Sequence, residues 1–183
     1  MYRMPMDLIP QLKTGRLVVA LTDHRSITSE LISELALRGP VTVLDGGNCF
    51  PAYRIAELVR RKSQQVRTIS QRVFVQRAFT CYQMVSLLEN APTLNQPHVV
   101  LNLLSTFQDD QIRPKEAERL LTVCLAHIER LCLAAPMAIT LEPVILAEKE
   151  FLLKRICEKA NEVFTSQPRP LQQEEQLSFF QAG

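Results

Sequence analysis

Short apolar runs alternate with amphipathic stretches along most of the chain, and that alternation restricts what it can fold into. RLVVAL (16–21), VTVLD (41–45), RVFVQRA (72–78), HVVLNLL (98–104) and MAITLE (137–142) read as strands. Their near-continuous hydrophobicity suits strands covered on both faces, as in a parallel sheet between two layers of helices. The intervening segments carry apolar residues three and four apart, the spacing of a helix with one buried side. Ile27, Leu31 and Leu35 mark the first helix, Ile55, Leu58 and Val59 the second, and Met84, Leu87 and Leu88 the third. The fourth sets Leu120, Leu121, Cys124, Ile128, Leu131 and Cys132 against Lys115, Glu118, Arg119, Glu129 and Arg130, with Pro114 near its first turn. A fifth is expected over about 146–163, with Leu152, Leu153, Ile156, Ala160 and Val163 on one stripe. Strict alternation of strand and helix predicts an α/β doubly wound domain: a mainly parallel five-stranded sheet with right-handed crossovers and helices on both faces.

At 183 residues the chain has room for one such domain and a short extension. The domain is expected over 1–163 and a flexible tail over 164–183, where TSQPRPLQQEEQLSFFQAG is rich in Gln, Glu, Pro and Ser. That tail ends on an apolar island, Phe179 and Phe180, too far past the prolines to belong to the core. A net charge of +2 is too mild for nucleic-acid binding over the whole surface. No stretch has the apolar length of a membrane span and the start lacks a signal peptide's apolar run, so a cytoplasmic protein is expected, with nucleoid association compatible with that. Cys49, Cys81, Cys124, Cys132 and Cys157 are odd in number, scattered and without a CxxC pair, which argues against a disulfide framework or a zinc site.

The order of segments resembles the RecA-like recombinases, especially the archaeal RadA and eukaryotic branch. TGRLVVALTD (14–23) is similar to the strand that leads into that family's phosphate loop. LDGGNCFPAYRI (44–55) resembles its second strand and turn, RVFVQRAFTCYQMVSLLE (72–89) its third strand and helix, and HVVLNLLSTFQ (98–108) its second nucleotide motif. EAERLLTVCLAHIERLCLAAPMAITLEPV (116–144) follows as helix and fifth strand, so the likeness spans nearly all of 14–144 in order. It implies a RecA-like, phosphate-loop-type core.

The same resemblance implies that the chemistry is gone. A phosphate loop needs G-x-x-x-x-G-K-[ST], because glycines let backbone N–H groups cradle phosphates, the lysine reaches the terminal phosphates and the hydroxyl holds magnesium. The aligned stretch is TDHRSITS, with Thr22 and Ile27 at the glycines, Thr28 at the lysine and only Ser29 kept. Asp23 adds negative charge where phosphates would lie. The acid that would orient the attacking water falls at Gly47, and the aspartate that would close the fourth strand is Asn102, a weaker ligand for a hard cation. The expectation is therefore no enzyme, no catalytic residue, no cofactor and no metal, with Asp45, Gly46, Gly47 and Asn48 forming a tight strand-to-helix connection whose glycines supply backbone freedom.

Gln176-Leu177-Ser178-Phe179-Phe180 resembles the short motif, Q-L-[SD]-L-F, by which bacterial polymerases and repair proteins bind the sliding clamp. Four of five positions match and the fifth exchanges Leu for Phe179. Such a peptide seats Leu177 and the aromatic pair in an apolar pocket and orients itself through Gln176; the opposing reading folds these side chains back onto their own domain. Arg60, Arg61, Lys62, Arg67 and Arg72 gather near the end of the second helix and before the third strand, either as a weak surface for DNA phosphates or as caps on helix ends. His24, His98 and His127 share no ligand spacing, and Ser105 and Thr106 have no acid or His partner within their motif. The loops beyond the fourth helix and fifth strand are too short for strand exchange.

Together these resemblances imply a non-catalytic RecA-like accessory protein of bacterial DNA repair, recombination or translesion synthesis. It would dock on a recombinase or error-prone polymerase subunit and bind the sliding clamp through its tail, away from membranes. In this it resembles the RecA-like accessory subunit of bacterial mutagenic polymerase complexes. Two other readings remain: a RecA-fold inhibitor of cell division in the DNA-damage response, and an ATPase with an unorthodox site.

Overall fold

The computed structural model describes residues 8–22, 25–142 and 147–165. Six parallel strands form one sheet in the order β3-β2-β4-β5-β1-β6, with β1 at Leu17–Leu21, β2 at Val41–Asp45, β3 at Val73–Arg77, β4 at His98–Leu101, β5 at Met137–Leu141 and β6 at Glu162–Thr165. The helices are α1 (Arg25–Arg38), α2 (Ala52–Lys62), α3 (Val66–Ser70), α4 (Cys81–Asn90), α5 (Pro114–Cys132) and α6 (Glu150–Lys159).

Two apolar cores, one per face, follow from the period-two alternation of strand side chains. Val18, Ala20, Val41, Val43, Val99, Leu101 and Ala138 meet Leu31, Ile32 and Leu35 of α1 and Ile55 and Val59 of α2. Leu17, Val19, Leu44, Val100, Met137 and Ile139 meet Met84 and Leu88 of α4, the inner side of α5, and Leu152 and Ile156 of α6. The α/β class, the parallel sheet and helices on both faces are as the alternation predicts.

The five-stranded count and the fifth helix need correction. The helix expected to 163 ends at Lys159, and Ala160, extended at φ −74° and ψ 141°, is its C-cap. Asn161 then grips the start of β1: its Oδ1 accepts from the Leu17 N–H at 2.7 Å and its own N–H donates to the Leu17 carbonyl at 2.8 Å. From that anchor Glu162–Thr165 runs as β6 beside Val18–Leu21, so Val163 is a strand residue and β1 becomes internal. The sheet therefore extends past 163, and Phe164 and Thr165 belong to it.

Two further segments differ from their apolar pattern. HVVLNLL does not stay extended: Asn102 turns left-handed (φ 48°, ψ 50°) and a 3-10 turn follows at Leu103–Phe107. RVFVQRA is an edge strand, covered by β2 alone on one side, and Phe74 within it is 54% exposed.

Candidate functional site

In open α/β sheets ligands sit beyond the carboxyl ends of the strands, where neighbouring connections diverge. Here the chain leaves β2 towards β3 and leaves β4 the opposite way towards β5, so one such crevice lies between β2 and β4. Asp45, Gly46, Gly47 and Asn102 stand at its mouth.

Asp45 is fully buried, and both of its oxygens are engaged in closing the turn that follows it. Oδ1 accepts from the Cys49 N–H at 3.0 Å and Oδ2 from the Phe50 N–H at 3.1 Å, while Arg77 Nε at the end of β3 lies 3.4 Å from Oδ2. A carboxylate tied to two backbone donors and a guanidinium fixes the path from β2 into α2.

The glycines serve this turn in a different way from the expected one. Neither Gly46 nor Gly47 has positive φ; the left-handed position is Asn48, at φ 48°. What the glycines provide is room. A Cβ on Gly47 would stand 2.9 Å from Asn102 Cβ and 3.0 Å from its Nδ2, and one on Gly46 would stand 2.8 Å from Met84 Cε and 3.2 Å from the Leu101 and Asn102 carbonyl oxygens. Gly46 N–H donates to the Leu101 carbonyl at 2.8 Å. The crevice is filled by the backbone of the turn lying against the end of β4.

Asn102 closes the other side. Its N–H donates to the Thr140 carbonyl at 2.8 Å, its Oδ1 accepts from the Glu142 N–H at 3.4 Å, and its carbonyl accepts from Ser105 N–H at 2.9 Å. The residue thus ties β4 to β5 and supports a left-handed turn that asparagine tolerates better than most side chains. Behind it, Thr106 Oγ1 donates to the Leu103 carbonyl and is buried, whereas Ser105 is exposed.

Between β1 and α1 the connection is residues 22–24, of which Asp23 and His24 lie outside the described residues. Thr22 is buried and its N–H donates to the Leu141 carbonyl at 2.9 Å. Ile27, Thr28 and Ser29 already belong to α1, with Ser29 fully buried.

Three of the five basic candidates are engaged within the fold. Arg61 pairs with Glu57 at 2.5 Å and Lys62 with Glu34. Arg72 donates to the Ala36 and Leu37 carbonyls at 3.3 and 3.4 Å, completing the C-terminus of α1 as a cationic cap. Arg60 and Arg67 are exposed, on α2 and on α3, a short helix that the sequence pattern did not separate from the loop.

His98 is buried at the opposite, amino edge of the sheet. Its ring lies near the Pro92 and Gln96 carbonyls without reaching hydrogen-bond geometry, and burial lowers its pKa below the ordinary 6.5. His127 is half-buried on α5. All five cysteines are free, and burial pushes the Cys124 thiol up to about 12. Among the described residues no group of three or more His, Cys, Asp or Glu is placed to hold a metal ion. No helix among them is long and apolar enough to cross a membrane.

A second location was not visible in the apolar pattern. Beside the free edge of β3, the first turns of α4 border an open groove of about 600 Å³ lined by Gln76, Arg77, Tyr82, Ser86, Leu87 and Asn90. Phe79 is 65% and Tyr82 53% exposed there, and Phe74 lies on the same face of β3 as Gln76. Thr80 fixes the start of α4, accepting from the Gln83 N–H at 3.2 Å, while Gln83 Oε1 accepts from the Phe79 N–H at 2.8 Å. Gln176, Leu177, Ser178, Phe179 and Phe180 lie outside the described residues.

A scan against protein-family models finds no match, and a search of curated proteins finds no relative of this chain.

Proposed function

We propose that this chain is a RecA-like scaffold without ATPase chemistry, which docks on a recombinase or polymerase subunit and binds a bacterial sliding clamp through Gln176-Leu177-Ser178-Phe179-Phe180. The observation that carries the reading is the closed crevice between β2 and β4. Where the resembled family keeps an acid to orient water, Gly47 lies so close to Asn102 that a side chain would collide with it. Asp45 supports the same reading, because its oxygens are engaged by Cys49, Phe50 and Arg77. The buried Ser29 hydroxyl, on α1, offers no exposed ligand for magnesium.

A non-catalytic accessory needs an exposed face with anchors, and the β3–α4 flank supplies one. Exposed aromatics beside an unpaired strand edge are what a docking partner uses: backbone pairing for affinity, side-chain pockets for specificity.

The test is fluorescence anisotropy of the full chain with a purified bacterial sliding clamp, beside the variant Gln176→Ala, Leu177→Ala, Phe180→Ala. Saturable binding by the first and at least a tenfold loss in the second is expected, a difference of about 1.4 kcal/mol or more. No binding by either removes the clamp from the reading. ATP turnover that survives rigorous purification and disappears in Ser29→Ala would overturn the non-catalytic part.

A further inference from the structure

The β3–α4 groove and the clamp-like motif have matching chemistry. The groove offers one guanidinium, Arg77, whose side chain is 48% exposed although Nε contacts Asp45, together with the apolar surfaces of Tyr82 and Leu87, and Phe74 is exposed on the same face of β3 as Gln76. Glu174 and Glu175 precede a segment in which Leu177 and Phe179 are two apart, the spacing that puts both on one face of an added strand. The free edge of β3 supplies the backbone groups such a strand would pair with.

Reach is compatible with this match. All six strands run the same way, so β6 ends at Thr165 on the same edge of the sheet as the carboxyl end of β3. Five inter-strand steps separate the two, roughly 24 Å at about 4.8 Å each. Residues 166–176 span up to about 36 Å when extended, enough to cross that edge.

We propose that residues 174–180 dock in the β3–α4 groove of their own chain, so that the groove and the sliding clamp compete for one segment. This rests on the clamp reading above. Its consequence is a conditional scaffold: a clamp that takes the segment also uncovers the flank on which a repair partner docks. Linkage makes the effect reciprocal, because a segment held in the groove is available to the clamp for only a fraction of the time and its apparent affinity falls by that fraction.

The experiment uses the full chain throughout. Hydrogen exchange of the amides in 73–77 and 81–90 is compared between wild type and Leu177→Ser, Phe179→Ser, at two protein concentrations tenfold apart. In parallel, clamp binding is measured for Phe74→Ser, Tyr82→Ser, two exposed positions whose change leaves the cores intact. Docking predicts faster exchange along β3 and α4 in the first variant, independent of concentration, and clamp affinity raised on the order of tenfold in the second. Unchanged exchange, or a groove variant that binds the clamp no tighter than wild type, overturns the proposal. Protection that is lost on dilution makes a second copy the occupant and overturns the same-chain form. If the chain binds no clamp and Leu177→Ser, Phe179→Ser still speeds exchange, the clamp reading fails and docking stands.

Discussion

The turn after β2 and the outer flank of β3 lie one strand apart and are built in opposite ways. In the turn, a buried carboxylate, two close-packed glycines and a left-handed asparagine leave little room for a side chain at 46 or 47. On the flank, Phe74, Phe79 and Tyr82 are exposed among the described residues, beside an edge of β3 that no described strand pairs. The sheet usually offers ligands its carboxyl edge; here that edge is closed at the β2–β4 crevice and the exposed anchors lie to the side. The difference shows how one parallel sheet can be tightly packed at a carboxyl-end crevice while exposing aromatic side chains at its margin.

The comparison breaks first at Asp45. Asp45→Ala removes the acceptor for two backbone N–H groups and leaves Arg77 without its partner, and a loss of about 3 kcal/mol is expected in urea unfolding, with Asp45→Asn losing less. If Asp45→Ala unfolds at the wild-type midpoint, the turn is not held as described. Gly47→Glu comes next: placing there the acid that the resembled family carries forces a Cβ against Asn102 and should cost about 2 kcal/mol while producing no ATP turnover.

The third test is of pH and concerns the amino edge. His98 has its folded pKa below the unfolded value of 6.5 because burial disfavours the charged ring, and Arg130 on α5 adds to the effect. Its stability contribution is complete above about 6.5 and is lost as pH falls from there through the lowered folded value. The urea midpoint should therefore decline over that window in wild type and decline less in His98→Phe. The smallest effect is expected on the flank: Phe74→Ser should stay within about 0.5 kcal/mol of wild type, since an exposed side chain leaves no cavity. A larger loss would show that Phe74 is packed rather than presented.

Much of the fold was legible because strand burial writes itself as apolar runs. VTVLD was bounded to the residue, and Pro114 marked the first position of α5. β6 was missed because Ala160 and Val163 continue the helical stripe of Leu152 and Ile156, so periodicity alone extends α6 through them. The deciding interaction is the non-local grip of Asn161 on Leu17, although the β-branched and aromatic run Val163-Phe164-Thr165 was a local sign of it. At the candidate site, the residue types at 45–48 indicated a tight connection, but the glycines were expected to supply φ freedom and instead supply clearance, which depends on how near Asn102 and the end of β4 pass. The exposure of Phe74 was hidden for the related reason that an edge strand and an internal one share the same apolar composition.

The clasp at Asn161 also has a mechanical meaning. Tension applied beyond Thr165 along the strand direction pulls β6 along its own axis against β1. That geometry loads the Val18–Leu21 ladder in shear, its bonds sharing the force rather than opening singly, with the Asn161–Leu17 pair at the far end as the stop. A strand only four residues long can thereby serve as a strain relief between the domain and whatever holds its extension.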